Sequence, residues 1–340
     1  MTVRPTEFGV GFGGTLKPSE YGPLAECLER YGFHVATAFG DLMMQPPALV
    51  LAMMAGATER LRLGVGCYTP WTHHPVEIAG QMAYLDMLTE GRAFLGLVRG
   101  AWLDQLGIDT SHALPALTDT LAIIDAVLAG GETGHTGPVY SVEAGTRPYY
   151  PIHRPRLPLM IGTWSPRLAR FAGARADEIQ IGGCANPAMI PVVRAWADEG
   201  AVAASRDPAC VGIVVTAVTV VDEDRATARA LARTEAALPM HAIARLDRTL
   251  EVDPELLDAM GVLLRQNDFE AAGRLIPDDL LDHFAFCGTP EEVAEHAAAA
   301  YTAGAKRVEF DSPFGSSPAQ GIRLLGERVL PILRASGLGQ

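Results

Sequence analysis

The run Leu61-Arg62-Leu63-Gly64-Val65-Gly66, followed by Cys67-Tyr68-Thr69-Pro70-Trp71-Thr72-His73-His74-Pro75, decides the fold class. It is short, apolar and closed by turn residues, so it reads as a strand buried on both faces. The period then changes. Ile78, Met82, Leu85 and Leu88 recur at helical spacing between Pro75 and Leu88. Ala93–Val98 is apolar again and returns to strand. Parallel strands need such a helical crossover, so this is a βαβ unit.

The same alternation extends in both directions. Towards the N-terminus, Phe8–Phe12 and Phe33–Phe39 read as strands. They alternate with helices over Tyr21–Tyr31, where Leu24, Cys27 and Leu28 share a side, and Ala48–Thr58. Towards the C-terminus, strands are predicted at Leu157–Ile161, Glu178–Ile181, Val211–Val221 and Lys306–Phe310. Helices are predicted at Leu114–Ala129, Pro166–Ala174, Ala188–Ala204, Arg225–Ala237, Thr289–Ala303 and Ala319–Arg334. Thr289 followed by Pro290 is a strong helix start, because a side-chain cap precedes a residue with no N–H to satisfy. About eight βα units predict an α/β fold, a closed (β/α)8 TIM barrel forming one domain over residues 1–340. An open doubly wound sheet shares the local pattern and stays in view. Two segments interrupt the alternation. Residues 130–156 hold several Gly and Pro with Tyr140, Tyr149 and Tyr150. Residues 239–284 are polar and irregularly helical.

Composition bounds the partners. The 340 residues carry 27 basic and 40 acidic side chains, a net charge of −13. Nucleic acid and anionic membrane both attract cationic surfaces, so neither is an expected partner. At 49% hydrophobic and 20% charged, the chain can bury a large core. No apolar run reaches the ~18 residues of a membrane helix, and Met1–Pro5 lacks the apolar core of a secretion signal. The five cysteines, Cys27, Cys67, Cys184, Cys210 and Cys287, are scattered and form no CxxC pair. Reduced thiols in a cytoplasm are expected.

In a barrel, chemistry belongs to the loops that follow the strands. Gly11-Phe12-Gly13-Gly14 lacks the context of a dinucleotide fingerprint. Its glycines overlap the strand, and Lys17-Pro18 intervene before the helix. These glycines read as clearing space at the barrel mouth. In the Gly66–Pro75 loop, aromatics offer a flat wall, and Thr69, His73 and His74 offer hydrogen bonds, as a planar ligand requires. A plain helix-entry loop with surface histidines is equally compatible. No metal is expected, because adjacent histidines rarely point the same way and no third ligand is near. Arg99 stands beside Gly100 at a strand end, where its planar fork suits a phosphate or carboxylate, or a salt bridge within the rim. Gly162-Thr163-Trp164-Ser165-Pro166 and Gly182-Gly183-Cys184-Ala185-Asn186-Pro187 put small residues ahead of helix N-termini. Such ends attract anions, or are capped in the ordinary way by Ser165 and Asn186.

Three blocks together resemble the luciferase-like superfamily of flavin- and F420-dependent oxidoreductases, and within it the F420-dependent methylenetetrahydromethanopterin reductase type. The first block is Leu63–Pro70 with His74-Pro75 and Leu85-Asp86-Met87-Leu88-Thr89-Glu90-Gly91-Arg92-Ala93. The second is Pro158–Gly162 with Ala172-Gly173 and Ala176-Asp177-Glu178. The third is Phe286–Val293, ending in Ser312-Pro313-Phe314-Gly315. The resemblance implies a dimeric barrel binding F420, or alternatively FMN. It implies that Gly66-Cys67 forms a bulge behind the ring, as a non-prolyl cis peptide. It places Arg99 at a cofactor phosphate, and Gly162, Thr163, Gly182 and Gly183 along the cofactor tail.

The chain departs from that pattern at three acid–base positions. Phe39-Gly40 stands where F420-dependent sugar-phosphate dehydrogenases of the superfamily carry Asp-His. Ala101 stands where related enzymes carry an acid after the fourth strand, and Gly11 where the reductases carry a glutamate. Asp41, Thr69, His73, His74 and Asp104 are therefore the candidate proton donors. The expectation is hydride transfer between reduced F420 and a small-molecule substrate, with Trp71, Trp102 and Trp164 as aromatic lining. An FMN-dependent monooxygenase and a non-catalytic cofactor-binding barrel are the alternatives.

Overall fold

Every apolar run named above forms a strand in the computed structural model, which describes residues 5–41 and 44–339. The N-terminal stretch Met1–Arg4 lies outside the described residues. The strands are β1 (Glu7–Phe12), β2 (Val35–Ala38), β3 (Arg62–Val65), β4 (Ala93–Val98), β5 (His135–Thr136), β6 (Ser141–Val142), β7 (Leu159–Gly162), β8 (Glu178–Gly182), β9 (Gly212–Val221), β10 (Ala285–Gly288) and β11 (Arg307–Phe314). The parallel order β11-β1-β2-β3-β4-β7-β8-β9 closes on itself through β9 pairing with both β8 and β11. The result is a (β/α)8 barrel, and the open-sheet alternative falls away.

The helices are α1 (Tyr21–Tyr31), α2 (Pro47–Ala55), α3 (Pro75–Leu88), α4 (Ala113–Leu128), α5 (Pro166–Arg175), α6 (Met189–Ala203), α7 (Arg225–Ile243), α8 (Pro254–Arg265), α9 (Phe269–Arg274), α10 (Asp278–Leu281), α11 (Pro290–Thr302), α12 (Pro318–Leu324) and α13 (Leu330–Ala335). Proline opens α2, α3, α5, α8, α11 and α12, where its missing N–H leaves nothing unsatisfied. Thr289 and Glu292 cap α11 reciprocally, at 3.3 and 2.9 Å. The barrel's outer strand faces and the inner helix faces share one apolar core that runs through Phe8, Leu63, Leu97, Ile161, Ile181 and Phe310. Each such side chain contributes ~1.5–3 kcal/mol by leaving water.

Three elements differ from the sequence reading. The helix expected over Ala319–Arg334 is split by a π turn at Leu325–Val329. Pro331 cannot donate to the carbonyl four residues back, so the helix widens just before it. α7 runs on to Ile243 with Pro239 inside it. The short strand β10 pairs beside the far end of β9 and falls between the second interruption and the Thr289 helix start, where the sequence reading places no element. Four residues are too few to show a period.

The two interruptions take different forms. The first holds the β5–β6 hairpin, tied to α4 by Asp119. Its carboxylate accepts from Val139 N at 2.8 Å and Tyr140 N at 3.0 Å, and sits 3.0 Å from His135 Nε2. The second is α8–α10, which pack with α7 and β10 around their own apolar cluster, including Met240, Leu257, Met260 and Phe284.

At its N-terminal end the barrel interior is ionic. Arg307 is fully buried, 2.7 Å from Glu309, 2.8 Å from Glu178 and 3.3 Å from Glu7. Arg62 and Lys306 complete the cluster. Burial pushes the Glu178 carboxyl up, but Arg307, Arg62 and Lys306 together outweigh it and hold Glu178 below its ordinary value. Above the ions lies an apolar layer of Val35, Phe94, Met160 and Val214. The ionic cluster fills the barrel interior at this end, and the loops that follow the strands surround the opposite mouth.

Candidate active site

Two-residue alternation determines what faces the mouth. Glu7, Gly9 and Gly11 point inward on β1, as Arg307, Glu309 and Asp311 do on β11. The inward positions towards the mouth include Gly11, Phe39, Gly66, Val98, Gly162, Gly182, Thr216 and Asp311. Four are glycine, and Asp311 is the one acid among them. These residues form the floor of the mouth.

Neighbours fill the space beside three of the four glycines. A Cβ on Gly66 would run into Thr37, one on Gly11 into Asp311 and Phe39, and one on Gly162 would touch Val98 and Cys67. Gly182 is different. A Cβ there meets nothing within 4 Å, so the floor opens to space at β8. The next residue, Gly183, takes φ +72, a backbone conformation that favours glycine.

Across the barrel from Gly182 lies the β3 bulge. The Gly66–Cys67 peptide is cis. Cys67 Sγ donates to Gln180 Oε1 at 3.6 Å, which ties the bulge to β8 two residues before Gly182. Gly40 packs against the same bulge, where a Cβ would come within 2.5 Å of the Cys67 carbonyl oxygen. Burial pushes the Cys67 thiol far up, so it acts as a neutral packing group. Residues 66–67 and 182–183 therefore share one rim.

The candidate side chains divide. Thr69 is buried and donates to the Arg99 carbonyl at 2.9 Å, which joins the β3 and β4 loops. His73 lies 4.8 Å from the Tyr68 ring, and burial holds its pKa below the usual histidine value. His74 is exposed and caps α3, accepting Val76 N–H at 3.3 Å. Asp41 is half-buried, and desolvation raises its carboxyl to about 6. Arg99 and Asp104 are exposed. Trp164 donates to the Gly182 carbonyl at 2.9 Å and so walls the open position.

The two expected anion loops behave differently. Ser165 makes no side-chain cap, and its own N–H is taken by Thr163 Oγ1 at 2.9 Å. The α5 N-terminus is left without a cap. The other loop is internally committed. Asn186 Oδ1 accepts Ala188 N–H at 3.0 Å, and its amide donates to Asp247 and Thr249. Cys184 N–H and Ala185 N–H are also taken, by Thr216 O and His283 O. The first loop thus leaves its helix start without a side-chain cap, and the second is internally hydrogen-bonded beyond Gly183.

Residues 3–307 match the luciferase-like monooxygenase family. The chain belongs to that family. It is 25% identical to the 5,10-methylenetetrahydromethanopterin reductase of Methanopyrus kandleri, across 97% of this chain and 99% of the relative. It is 26% identical to the enzyme of the same name from Methanolobus tindarius, across 95% and 99%. Among solved structures, the coenzyme F420 dependent tetrahydromethanopterin reductase of M. kandleri superposes with a TM-score of 0.84 at 22% identity, covering 96% of this chain and 99% of that one.

A tricyclic cofactor fits the mouth of this luciferase-like barrel on two observations. The floor is open at Gly182, and the adjacent α5 N-terminus lacks a cap. Among the described residues no cluster of His, Cys, Asp or Glu could hold a metal ion, and no helix is long and apolar enough to cross a membrane. The sequence reading missed Asp311 and Glu309. The signal was present: Arg307, Glu309 and Asp311 recur at period two in an otherwise apolar stretch. It was cut short because the strand was ended at Phe310.

Proposed function

We propose that this luciferase-like chain is an F420-dependent oxidoreductase, moving a hydride between the deazaflavin and a small organic substrate. The carrying observation is the open floor at Gly182, facing the Gly66–Cys67 bulge across one rim. Whole-length relatedness to the methylenetetrahydromethanopterin reductases supports it. When bound, the deazaflavin supplies or accepts the hydride.

The chain's own residues would bind, orient and exclude water. Gly66 and Cys67 would back the ring. Gly162, Gly182 and Gly183 would admit it, and Trp164 would wall it. Thr163 and the uncapped α5 N-terminus would hold the anionic tail, with Arg99 beside them. Thr69 fixes the spacing of the β3 and β4 loops. His73, kept neutral by burial, and His74 would line the entrance. Asp41, poised at about 6, would buffer a proton at the rim. The substrate class is a compound with an activated C=N or C=C bond.

The test is titration with F420 and with FMN in parallel. F420 binding at least about tenfold tighter, 1.4 kcal/mol, is expected. Tight FMN binding with indifference to F420 rejects the reading. It would favour an FMN-dependent monooxygenase, which the family's description and the exposed Arg99 suit. Turnover of any substrate removes the non-catalytic reading.

The whole chain acts as one domain with two excursions, in a homodimer. α2 has no polar residue, yet Leu49 is 64% exposed and Met53 38%. Beside them on α3, Tyr84 and Leu88 are also exposed. A helix apolar all round belongs in an interior, and a second copy supplies one. The five cysteines are free thiols, which suits a cytoplasmic setting.

A further inference from the structure

We infer that Asp311 is the proton donor of this site, standing in from β11 for the acid that β1 lacks. The inference rests on the hydride-transfer reading above. Asp311 is 8% exposed and belongs to the floor layer of the mouth. Gly11 is its register partner on β1. Its Oδ1 fills the space that a Cβ on Gly11 would take, together with the edge of the Phe39 ring. Its Oδ2 is held by the Thr216 hydroxyl. Oδ1 is buried and has no hydrogen-bond partner. A buried, unpaired carboxylate oxygen is expensive, so such a group takes up a proton or meets a ligand that pairs it.

The surroundings favour the protonated form. From β9 the facing polar group is Thr216, from β11 it is Glu309, and Gly11 of β1 and the Phe39 ring just after β2 lie against it. Burial and the neighbouring Glu309 push the Asp311 carboxyl up, and the Thr216 hydroxyl only partly opposes this. Arg307 is committed lower in the barrel to Glu7, Glu178 and Glu309. A neutral carboxylic acid in the floor has one O–H to give. The hydride forms a C–H bond at the substrate carbon as one bond from that carbon to its neighbour breaks, the π bond of a C=N or C=C or one C–N bond of an N–CH2–N bridge, and that neighbouring atom takes the proton from Asp311. The resulting carboxylate is reprotonated from solvent through the mouth. The substrate is reduced, the deazaflavin is oxidised, and Asp311 is unchanged over the cycle.

Asp311→Asn keeps the shape and removes the acid. F420 titration comes first. Wild type that fails to bind sinks the cofactor reading, and infrared spectroscopy then decides the state of Asp311 alone. At pH 7 the wild type should show a carboxylic-acid C=O band that D311N lacks, and F420 should shift that band. With 5,10-methylenetetrahydromethanopterin as the probe, D311N should lose about 100-fold in kcat with KM changed under about threefold. Thr216→Val, which frees Oδ2, should move the alkaline limb of the pH profile upward. An absent band, or equal kcat values with F420 binding intact, overturns the proposal. A loss confined to Asp41→Asn overturns it too. If the wild type does not turn the probe over, the infrared arm decides.

Discussion

Gly11 on β1 and Asp311 on β11 are register partners, and the Asp311 carboxyl occupies the volume in which a side chain at Gly11 would begin. The two positions are thus sterically exclusive. Gly11→Ala should destabilise the protein by about 1–3 kcal/mol, as inserted core methyls do. Urea denaturation reads the loss. A variant as stable as wild type would show that Asp311 and Phe39 move aside freely.

The pH dependence of stability at Asp311 has a definite sign. A folded-state pKa above the unfolded value means the native protein keeps a proton that the unfolded chain releases. Stability then falls as pH rises above the unfolded value of ~4. Asp311→Asn removes that penalty. It should match wild type at pH 4 and exceed it increasingly towards pH 7. Denaturation midpoints measured across that range decide it, and parallel curves refute it.

At the barrel's closed end, Arg307→Met should cost about 3–5 kcal/mol, because Glu178 and Glu309 would be left buried without their shared cation. Glu309 already has one oxygen without a partner. Guanidinium melts of the variant measure this, and a loss under about 1 kcal/mol would show that Arg62 and Lys306 suffice.

Gly182→Ala separates folding from binding. No neighbour lies within 4 Å of a Cβ at this position, so stability should change by no more than about 0.5 kcal/mol. F420 affinity should fall at least about tenfold. A variant that binds F420 unchanged would place the cofactor elsewhere.

Leu49→Lys with Tyr84→Glu puts charge on the apolar α2–α3 face. Light scattering should report a dimer for wild type and a monomer for the double variant. A monomeric wild type removes the dimer.

The barrel was legible because its information is local. Leu61–Gly66 and Pro75–Leu88 announce strand and helix by length and period, and eight repetitions leave few ways to arrange them. The α12–α13 break and β10 were not legible. The first depends on where one proline falls within a turn, and the second on a pairing with β9. At the mouth, Gly66, Cys67, Gly182 and Trp164 are legible from the sequence as strand-end residues, since function in a barrel belongs to the loops after the strands. The contrast between an uncapped Ser165 and a committed Asn186 needed the positions of Asp247 and Thr249, more than 60 residues away in sequence.

The amino-acid sequence by itself determined the alternation and the glycines of the strand-end loops, because periodicity and residue type act over neighbours in the chain. Only the tertiary structure decided which acid faces the mouth. Gly11 and Asp311 meet when the last strand closes onto the first, and that contact spans 300 residues of chain. Barrel closure sets which strands become neighbours, and with them which empty position one residue can fill for another.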